Sequence, residues 1–300
     1  MDKGIKIKAY AAGVFFATLV GFSFLAVRVT VQIAEPIEVL VFRYNFAFIM
    51  VCFAAVFLKF ARPNVKGKKT ALIFAGIFYV GFMALQAVGL VFSTSIEGAI
   101  MFAITPIIVK IIAKITLGET TTWQQNVFVG MSVSAVIVMV ILSAGNIEVN
   151  LLGLVILVLS SISAASSNVL FRYIRKEHNQ FSLTFSNATV GFVTLNMGYI
   201  FYLLKTHGSL ATYFAPCTNI NFVLATAYLG IPCIVFTLWL MGYMMQHLEA
   251  IRATIFGNLA SVISIFAGII ILSEPMPFYN IICAAVIIVG VVGVSKFAKT

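Results

Sequence analysis

Charged side chains are scarce in this chain of 300 residues. Only 9% of the residues are Asp, Glu, Lys or Arg, whereas 62% are hydrophobic, and the mean hydropathy is +1.10. A soluble domain of this size needs far more charge to keep its surface in water. The composition therefore excludes a soluble globular protein and predicts that most of the chain lies in a lipid bilayer.

The usual sequence motifs of catalysis and metal binding are also missing. The four cysteines stand singly, without the CxxC spacing of a metal site or a redox pair. The sequence has no Walker A loop, no HExxH and no elbow serine. We therefore predict no catalytic residue, no metal and no cofactor. The net charge of +10 is spread over alternate loops, which predicts a topological role and no nucleic-acid partner.

Long apolar runs are what the chain has instead. Runs of about 20 residues, enough to cross a bilayer, recur along the whole length and are separated by short polar connections. The pattern predicts an all-α polytopic membrane protein with ten transmembrane helices. The predicted spans are 10–29, 36–59, 71–92, 94–116, 125–143, 150–171, 182–204, 222–245, 250–272 and 278–296.

The basic residues predict the orientation of these spans. If the N-terminus is cytoplasmic, all but three of the 19 Lys and Arg residues fall on the inner side, the exceptions being Arg28, Arg43 and Lys205. Loops rich in Lys and Arg stay in the cytoplasm. We therefore expect a multi-pass protein of the cytoplasmic membrane with both termini in the cytoplasm.

An internal repeat relates the two halves of the sequence. The segments 95–119 and 250–274 are identical at six of 25 aligned positions, and each ends in Leu-x-Glu before a polar turn. Each segment is the fourth span of a half with five spans. Because five is odd, the halves 1–145 and 146–300 are predicted to lie in opposite orientations, the inverted repeat typical of secondary transporters.

Several short motifs resemble a known family. They are Gly21-Phe22-Ser23-Phe24 followed by Arg28, then Pro36, Arg43 and Ala47, the stretch from Thr105-Pro106 to Gly118-Glu119, and Leu272-Ser273-Glu274. Together they resemble the EamA-type permeases of the drug/metabolite transporter superfamily along essentially the whole chain. The resemblance implies two five-helix repeats around a central cavity.

Six residues are candidates for lining that cavity: Ser23, Tyr79, Gln86, Trp239, Tyr243 and Asn258. The amides on spans 3 and 9 lie at hydrocarbon depth, where an unpaired donor or acceptor is costly. The resemblance implies that these spans line the cavity. The aromatic rings suit cationic or aromatic solutes. The alternative is that the amides join helices and the rings contact lipid or core.

Four charged residues are candidates for gating or proton coupling. Glu97 and Arg252 hold equivalent positions at the starts of spans 4 and 9, and an ionisable group there is costly unless it is paired or wet. Glu97 could couple transport to protons, with Arg28 or Arg43 opposite it. The alternative is an interfacial charge that reaches the headgroups. For Arg43, deep in span 2, pairing across the bundle and anion binding both remain open.

Two prolines complete the candidate gate. Pro106 and Pro232 each remove a backbone hydrogen bond within a predicted span. They are expected either to bend cavity-lining helices during gating or to hold static kinks.

The leading hypothesis is a permease that moves a small metabolite, amino acid or drug-like solute by alternating access, in the direction of efflux. The alternatives are an intramembrane enzyme, or a membrane sensor or assembly protein without transport. The three histidines lie in or near connections on different sides, so they cannot converge on one catalytic site. The sequence leaves the solute and the oligomeric state open.

Overall fold

A computed structural model describes residues 3–57, 63, 67–92, 101–102, 104–143, 151–174, 177–206, 209–272 and 278–297. Every regular element within these residues is helical, as the apolar runs predict. The α-helices are α1 (Lys3–Val31), α2 (Pro36–Phe57), α3 (Lys69–Phe92), α4 (Thr105–Leu117), α5 (Trp123–Ser143), α6 (Leu151–Ile174), α7 (Gln180–Lys205), α8 (Leu210–Phe214), α9 (Ile220–Gly230), α10 (Thr237–His247), α11 (Ala250–Thr254), α12 (Phe256–Leu272) and α13 (Phe278–Lys296). A 3₁₀ turn (Ala215–Thr218) follows α8, and a π-helical segment (Ile231–Phe236) joins α9 to α10.

Six helical segments among the described residues are long and apolar enough to cross a membrane: Gly4–Val27, Pro36–Phe57, Lys69–Phe92, Leu151–Ile174, Phe181–Lys205 and Ile220–His247. The predicted count of ten is not confirmed. Turns interrupt two of the remaining predicted spans, at Ile104 in 94–116 and at Ile255 in 250–272. These interruptions shorten the continuous helices that sequence hydropathy had joined.

The outer surface of the bundle is apolar. Ile49, Val56, Ile115 and Ile270 are all more than 60% exposed, although they lie within helices. Polar groups such as Arg43 are buried instead. This distribution is the reverse of that in a soluble protein and fits a molecule whose surroundings are lipid.

Small polar residues join α3 to α6. Ser160, Ser163 and Ser167 share one face of α6, and their hydroxyls donate to the carbonyl oxygens of Phe82 (2.9 Å), Phe78 (2.7 Å) and Ala75 (2.8 Å) on α3. Small side chains let two helices approach closely in a membrane, and their hydroxyls find partners across the seam. The order of the contacts shows that the two helices run antiparallel.

Glycines on α1 form a second seam; Gly13 and Gly21 lie eight residues apart, and Ala17 lies between them on the same face. A Cβ at Gly13 would lie 2.6 Å from the ring of Phe256, and one at Gly21 would lie 2.7 Å from Ile263. Both partners belong to α12. Since no larger side chain fits at these positions, the glycines set the distance between α1 and α12.

The bundle has two ends, named here the N-terminal face and the opposite face. At the N-terminal face, the start of α3 meets the end of α6 through Lys68 and Glu177, whose Nζ and Oε1 atoms are 2.9 Å apart. At the opposite face, the Tyr279 hydroxyl near the start of α13 donates to the Leu142 carbonyl at the end of α5, at 3.1 Å. The long helices therefore alternate in direction.

Candidate functional site

A cavity lies in the middle of the bundle, between α1, α2, α3, α6 and the segment formed by the π turn and α10. Its volume is ≈ 50 Å³, which gives room for a few water molecules. Residues from both halves of the chain line it: Phe16, Val20, Ser23, Phe24, Arg43, Tyr79, Phe82, Met83, Gln86, Phe102, Ala164, Asn168, Cys233, Thr237, Leu238 and Met241.

Arg43 is the charged residue of this lining. Its side chain is 3% exposed, and its buried Nε has no hydrogen-bond partner among the described residues. Arginine stays protonated in proteins, so the cavity wall carries a positive charge at membrane depth. A buried charge without a partner is unfavourable by several kcal/mol, which marks this position as functional.

Glycine packing fixes the backbone at Arg43. A Cβ at Gly230 would lie 2.3 Å from the Arg43 carbonyl oxygen and 2.8 Å from the Phe46 side chain. Only glycine lets α9 come so close to α2. The close contact holds the guanidinium-bearing turn of α2 against the segment that carries Pro232.

Pro232 lies in the π-helical segment, so the structure places it at an irregular point of its span. Proline cannot donate the hydrogen bond that continues an α-helix, and a π turn accommodates the missing bond by adding a residue to the turn. Such turns are frequent at functional sites. Here Cys233, within the turn, and Thr237, directly after it, line the cavity.

Aromatic rings form a continuous wall of the cavity. The Phe24 and Phe102 centroids are 6.3 Å apart in an edge arrangement, and Phe102 stacks on Phe82 at 5.7 Å. Tyr79 meets Phe82 edge-on at 5.6 Å. These rings make most of the surface that a solute would contact apolar.

Four of the predicted residues come together at the cavity: Ser23, Arg43, Tyr79 and Gln86. Trp239, Tyr243 and Asn258 lie elsewhere. Trp239 is 42% exposed on α10, Tyr243 packs edge-on against His247 with ring centroids 4.7 Å apart, and the Asn258 amide donates to the Ser132 hydroxyl at 2.8 Å. The structure thus gives these three side chains surface or packing contacts.

The candidate gate residues are dispersed. Pro106 lies in the first turn of α4, after the turn at Ile104, where its missing N–H breaks no helix bond. Arg252 pairs with Glu249, with 3.3 Å between Nε and Oε2. Glu97 and the side chain of Arg28 lie outside the described residues.

Most of the apolar lining escaped the sequence analysis, including Phe16, Met83, Ala164 and Met241. A protein with 28 phenylalanines offers no signal for choosing the few that face a cavity. Asn168 and Thr237 could have been found from the sequence, because each is a polar residue deep in an apolar span.

Buried charges close the N-terminal face of the bundle. Arg172 on α6 donates through Nε to Glu119 after α4, at 2.6 Å, and through Nη1 to the Met245 carbonyl at 2.6 Å and to the Leu248 carbonyl. Glu119 also accepts the backbone N–H of Ala250 at 3.2 Å. We call this group the charged cluster. It joins α4, α6, α10 and α11 beneath the cavity.

Neutral groups join three further helices at the depth of Arg43 on α2. Asn45 donates to the Tyr213 hydroxyl, that hydroxyl donates to Asn196, and Asn196 donates back to Asn45, each at 2.7 Å. Burial raises the pKa of Tyr213, so the phenol stays protonated at neutral pH. The Tyr199 hydroxyl donates to Glu38 at 2.8 Å nearby. We call the ring of three residues the amide–tyrosine ring. It joins α2, α7 and α8.

These features define a class: a multi-pass helical membrane protein with a solvent-sized cavity inside the bundle. Comparison with known proteins gives the family. The EamA-like transporter family model matches residues 7–141 and 151–296, and the chain therefore belongs to this family. Membership implies a bilayer environment and a small solute as cargo.

Individual relatives agree with the family assignment. The chain is 32% identical to an uncharacterized transporter, YcxC, of Bacillus subtilis (strain 168), over 98% of this chain and 94% of that one. It is 26% identical to an uncharacterized transporter of Archaeoglobus fulgidus, over 91% and 94%. A crystal structure of a protein with 12% identity matches with a TM-score of 0.76 over 97% of both chains, which shows the shared fold.

Proposed function

We propose that this protein is a secondary transporter that carries a small solute out of the cell through the central cavity by alternating access. It has ten membrane-crossing segments in two inverted repeats, 1–145 and 146–300, and it catalyses no chemical reaction. The observation that carries the proposal is the cavity itself, because both halves of the chain line it.

The pairing of helices supports the inverted repeat. If the halves are related by a two-fold axis in the membrane plane, the contact of α3 with α6 has its counterpart in the contact of α1 with α9 and α10. Similarly, α1 against α12 corresponds to α4 against α6, and α3 against α7 corresponds to α2 against α9. Each of these contacts is present. Such symmetry gives two nearly equivalent arrangements, each open to one side.

The distribution of charge supports the orientation. Lys68, Lys69, Lys114, Arg172 and Arg252 lie towards the N-terminal face. Lys205, at the end of α7, lies at the opposite face. The positive-inside rule then puts the N-terminal face, and with it both termini, in the cytoplasm.

The release of loaded solutes from proteoliposomes tests the transport function. Vesicles are loaded with phenylacetate, phenylacetamide and phenethylamine, which share one aromatic body and differ in charge, and the release of each is measured by mass spectrometry. We expect the protein to move at least one of them. Ala164→Trp fills the cavity wall and should abolish the flux, whereas Ala11→Trp, at an exposed position of α1, should leave it intact. Equal release from loaded vesicles without protein, from vesicles with the wild type and from vesicles with either variant would refute the proposal.

Proton coupling through Glu97 is a separate part of the proposal. A carboxylate that binds and releases a proton in each cycle makes the flux depend on pH and on the pH gradient. Glu97→Gln should remove that dependence and leave facilitated exchange. If the pH dependence survives the substitution, Glu97 is not the coupling residue.

A further inference from the structure

The cavity carries a charge that the proposed transport function does not use. Arg43 is 3% exposed and is held in the lining by the contact of its backbone with Gly230. The ion pairs of the described residues are Lys68–Glu177, Arg172–Glu119 and Arg252–Glu249, and none of them includes Arg43. The guanidinium therefore faces the cavity without a countercharge from the described part of the chain.

The described carboxylates are all engaged elsewhere or lie at a face of the bundle. Glu38 accepts the Tyr199 hydroxyl, and Glu35 lies next to it at the start of α2. Glu119, Glu177 and Glu249 pair with cations near the N-terminal face. A buried arginine without a carboxylate is costly, so an occupant that brings one is favoured.

The rest of the described lining fixes what else that occupant contains. The polar groups beside Arg43 are neutral: Ser23, Tyr79, Gln86, Asn168 and Thr237. They can donate and accept hydrogen bonds, but they offer no negative charge to an ammonium group. Around them the connected rings of Phe24, Phe102, Phe82 and Tyr79 provide an apolar wall. The site matches one negative charge attached to an apolar or aromatic body.

Resting on the proposed transport function, we propose that Arg43 is the substrate anchor and that the solute is a small organic monoanion, a carboxylate with an aromatic or apolar body. The planar guanidinium binds a carboxylate with two parallel hydrogen bonds. The same charge repels amines, so cationic solutes are excluded. The cavity of ≈ 50 Å³ holds only water, and it must therefore enlarge when the solute enters.

Binding measurements on the purified full-length protein test this assignment. Isothermal titration with phenylacetate, phenylacetamide and phenethylamine should show binding of the carboxylate and weaker or undetectable binding of the other two. Arg43→Gln should weaken phenylacetate binding at least about thirtyfold, as expected for the loss of one partner of a buried charge pair. Arg43→Lys keeps the charge but loses the planar guanidinium. Its affinity for phenylacetate should lie between those of the wild type and of Arg43→Gln. Lys114→Gln, which removes a cation from an exposed position, is the matched control and should bind like the wild type.

The stability of the ligand-free protein gives a second readout that needs no solute. If Arg43 is unpaired, Arg43→Gln should raise the unfolding midpoint, because it removes an uncompensated buried charge. If Arg43 instead pairs with Glu97, which lies outside the described residues, both Arg43→Gln and Glu97→Gln should lower the midpoint, and the double variant should show strong coupling. That second result would overturn the anchor role.

The outcomes separate this inference from the transport proposal. Flux of phenethylamine or phenylacetamide that Ala164→Trp abolishes would keep the transporter and refute the anion site. Unchanged phenylacetate affinity in Arg43→Gln would also refute it, as would the absence of binding for all three probes. Carboxylate binding that depends on Arg43, without any flux, would keep the anion site and refute transport.

Discussion

Two groups of side chains join the helices of the bundle by different kinds of interaction. The charged cluster at the N-terminal face consists of a buried Arg172 that bonds a carboxylate and two backbone carbonyls. The amide–tyrosine ring, at the depth of Arg43, consists of neutral hydrogen bonds between three side chains. Charged hydrogen bonds are roughly twice as strong as neutral ones, and losing one partner leaves a buried charge. The N-terminal face should therefore be the harder one to open.

The same comparison has a functional meaning for a transporter. Alternating access requires each face to open in turn, and the charged cluster must separate when the N-terminal face opens. A protein whose faces differ in strength rests with the stronger face closed. We expect the ligand-free protein to open more readily at the opposite face.

The largest effect is expected from removing Arg172. Arg172→Ala leaves Glu119 and two carbonyls without their donor, and it should lower the free energy of unfolding by about 3 kcal/mol. The apparent unfolding midpoint in detergent measures the change. Arg172→Lys keeps the charge but loses the planar guanidinium, and it should recover part of the lost free energy of unfolding. A loss under about 1 kcal/mol would mean that water replaces the arginine and that the faces do not differ as described.

Overpacking between α2 and α7 comes next. A Cβ at Gly191 would lie 1.9 Å from the Tyr44 ring, which is fully buried between α2 and α7. Gly191→Ala should therefore cost about 2 kcal/mol, measured by the same thermal unfolding. Gly198→Ala, on the same helix with open space around it, is the matched control and should be neutral or stabilising by up to about 1 kcal/mol.

A smaller effect is expected within the amide–tyrosine ring. Tyr213→Phe removes one hydroxyl that both accepts from Asn45 and donates to Asn196, and it should cost about 1 kcal/mol. The loss should not change between low and high salt, because the ring is neutral. Salt dependence equal to that of Arg172→Ala would contradict the distinction between the charged cluster and the neutral ring.

The smallest effect is a pH dependence at the margin of the N-terminal face. The hydrogen bond from Lys68 lowers the pKa of Glu177 below the ordinary value of 4.5 for a glutamate. The pair therefore stabilises the folded protein above that pH, and the contribution is lost as the pH falls through the lower folded pKa. Glu177 raises the pKa of Lys68 in turn, so stability is also lost at strongly alkaline pH.

The variant Glu177→Gln checks this prediction. Its unfolding midpoint should be lower than that of the wild type at neutral pH, and the two midpoints should converge in acid. A difference that stays constant with pH would show that the ion pair contributes nothing. Because both side chains are partly exposed, raising the salt concentration should shrink the effect.

The cavity lining shows how far helical periodicity predicts a site. Ser23, Arg43, Tyr79 and Gln86 lie on α1, α2 and α3, where the α-helical repeat runs without interruption. Ser23, Tyr79 and Gln86 were candidates for the cavity lining, whereas Arg43 was a candidate for gating or pairing and also lines the cavity. For such residues, sequence position and membrane depth determine where the side chain lies.

The residues that lie elsewhere all follow an irregular backbone. Trp239 and Tyr243 come after the π turn, whose extra residue shifts the helical phase by about 100°. Asn258 follows the turn at Ile255 that separates α11 from α12. Hydropathy shows that these segments are apolar, but it does not show where the helical repeat breaks.

The sequence by itself determined that the protein is helical, lies in a bilayer and belongs with the EamA-type permeases, because these properties follow from composition, local periodicity and motifs. The tertiary structure decided which polar groups share a cavity, that Arg43 faces it, and which charged and neutral side chains join the helices. Those facts depend on contacts between residues far apart in the chain and on the phase of helices across a π turn. Neither these contacts nor this phase can be predicted from the sequence of a single span.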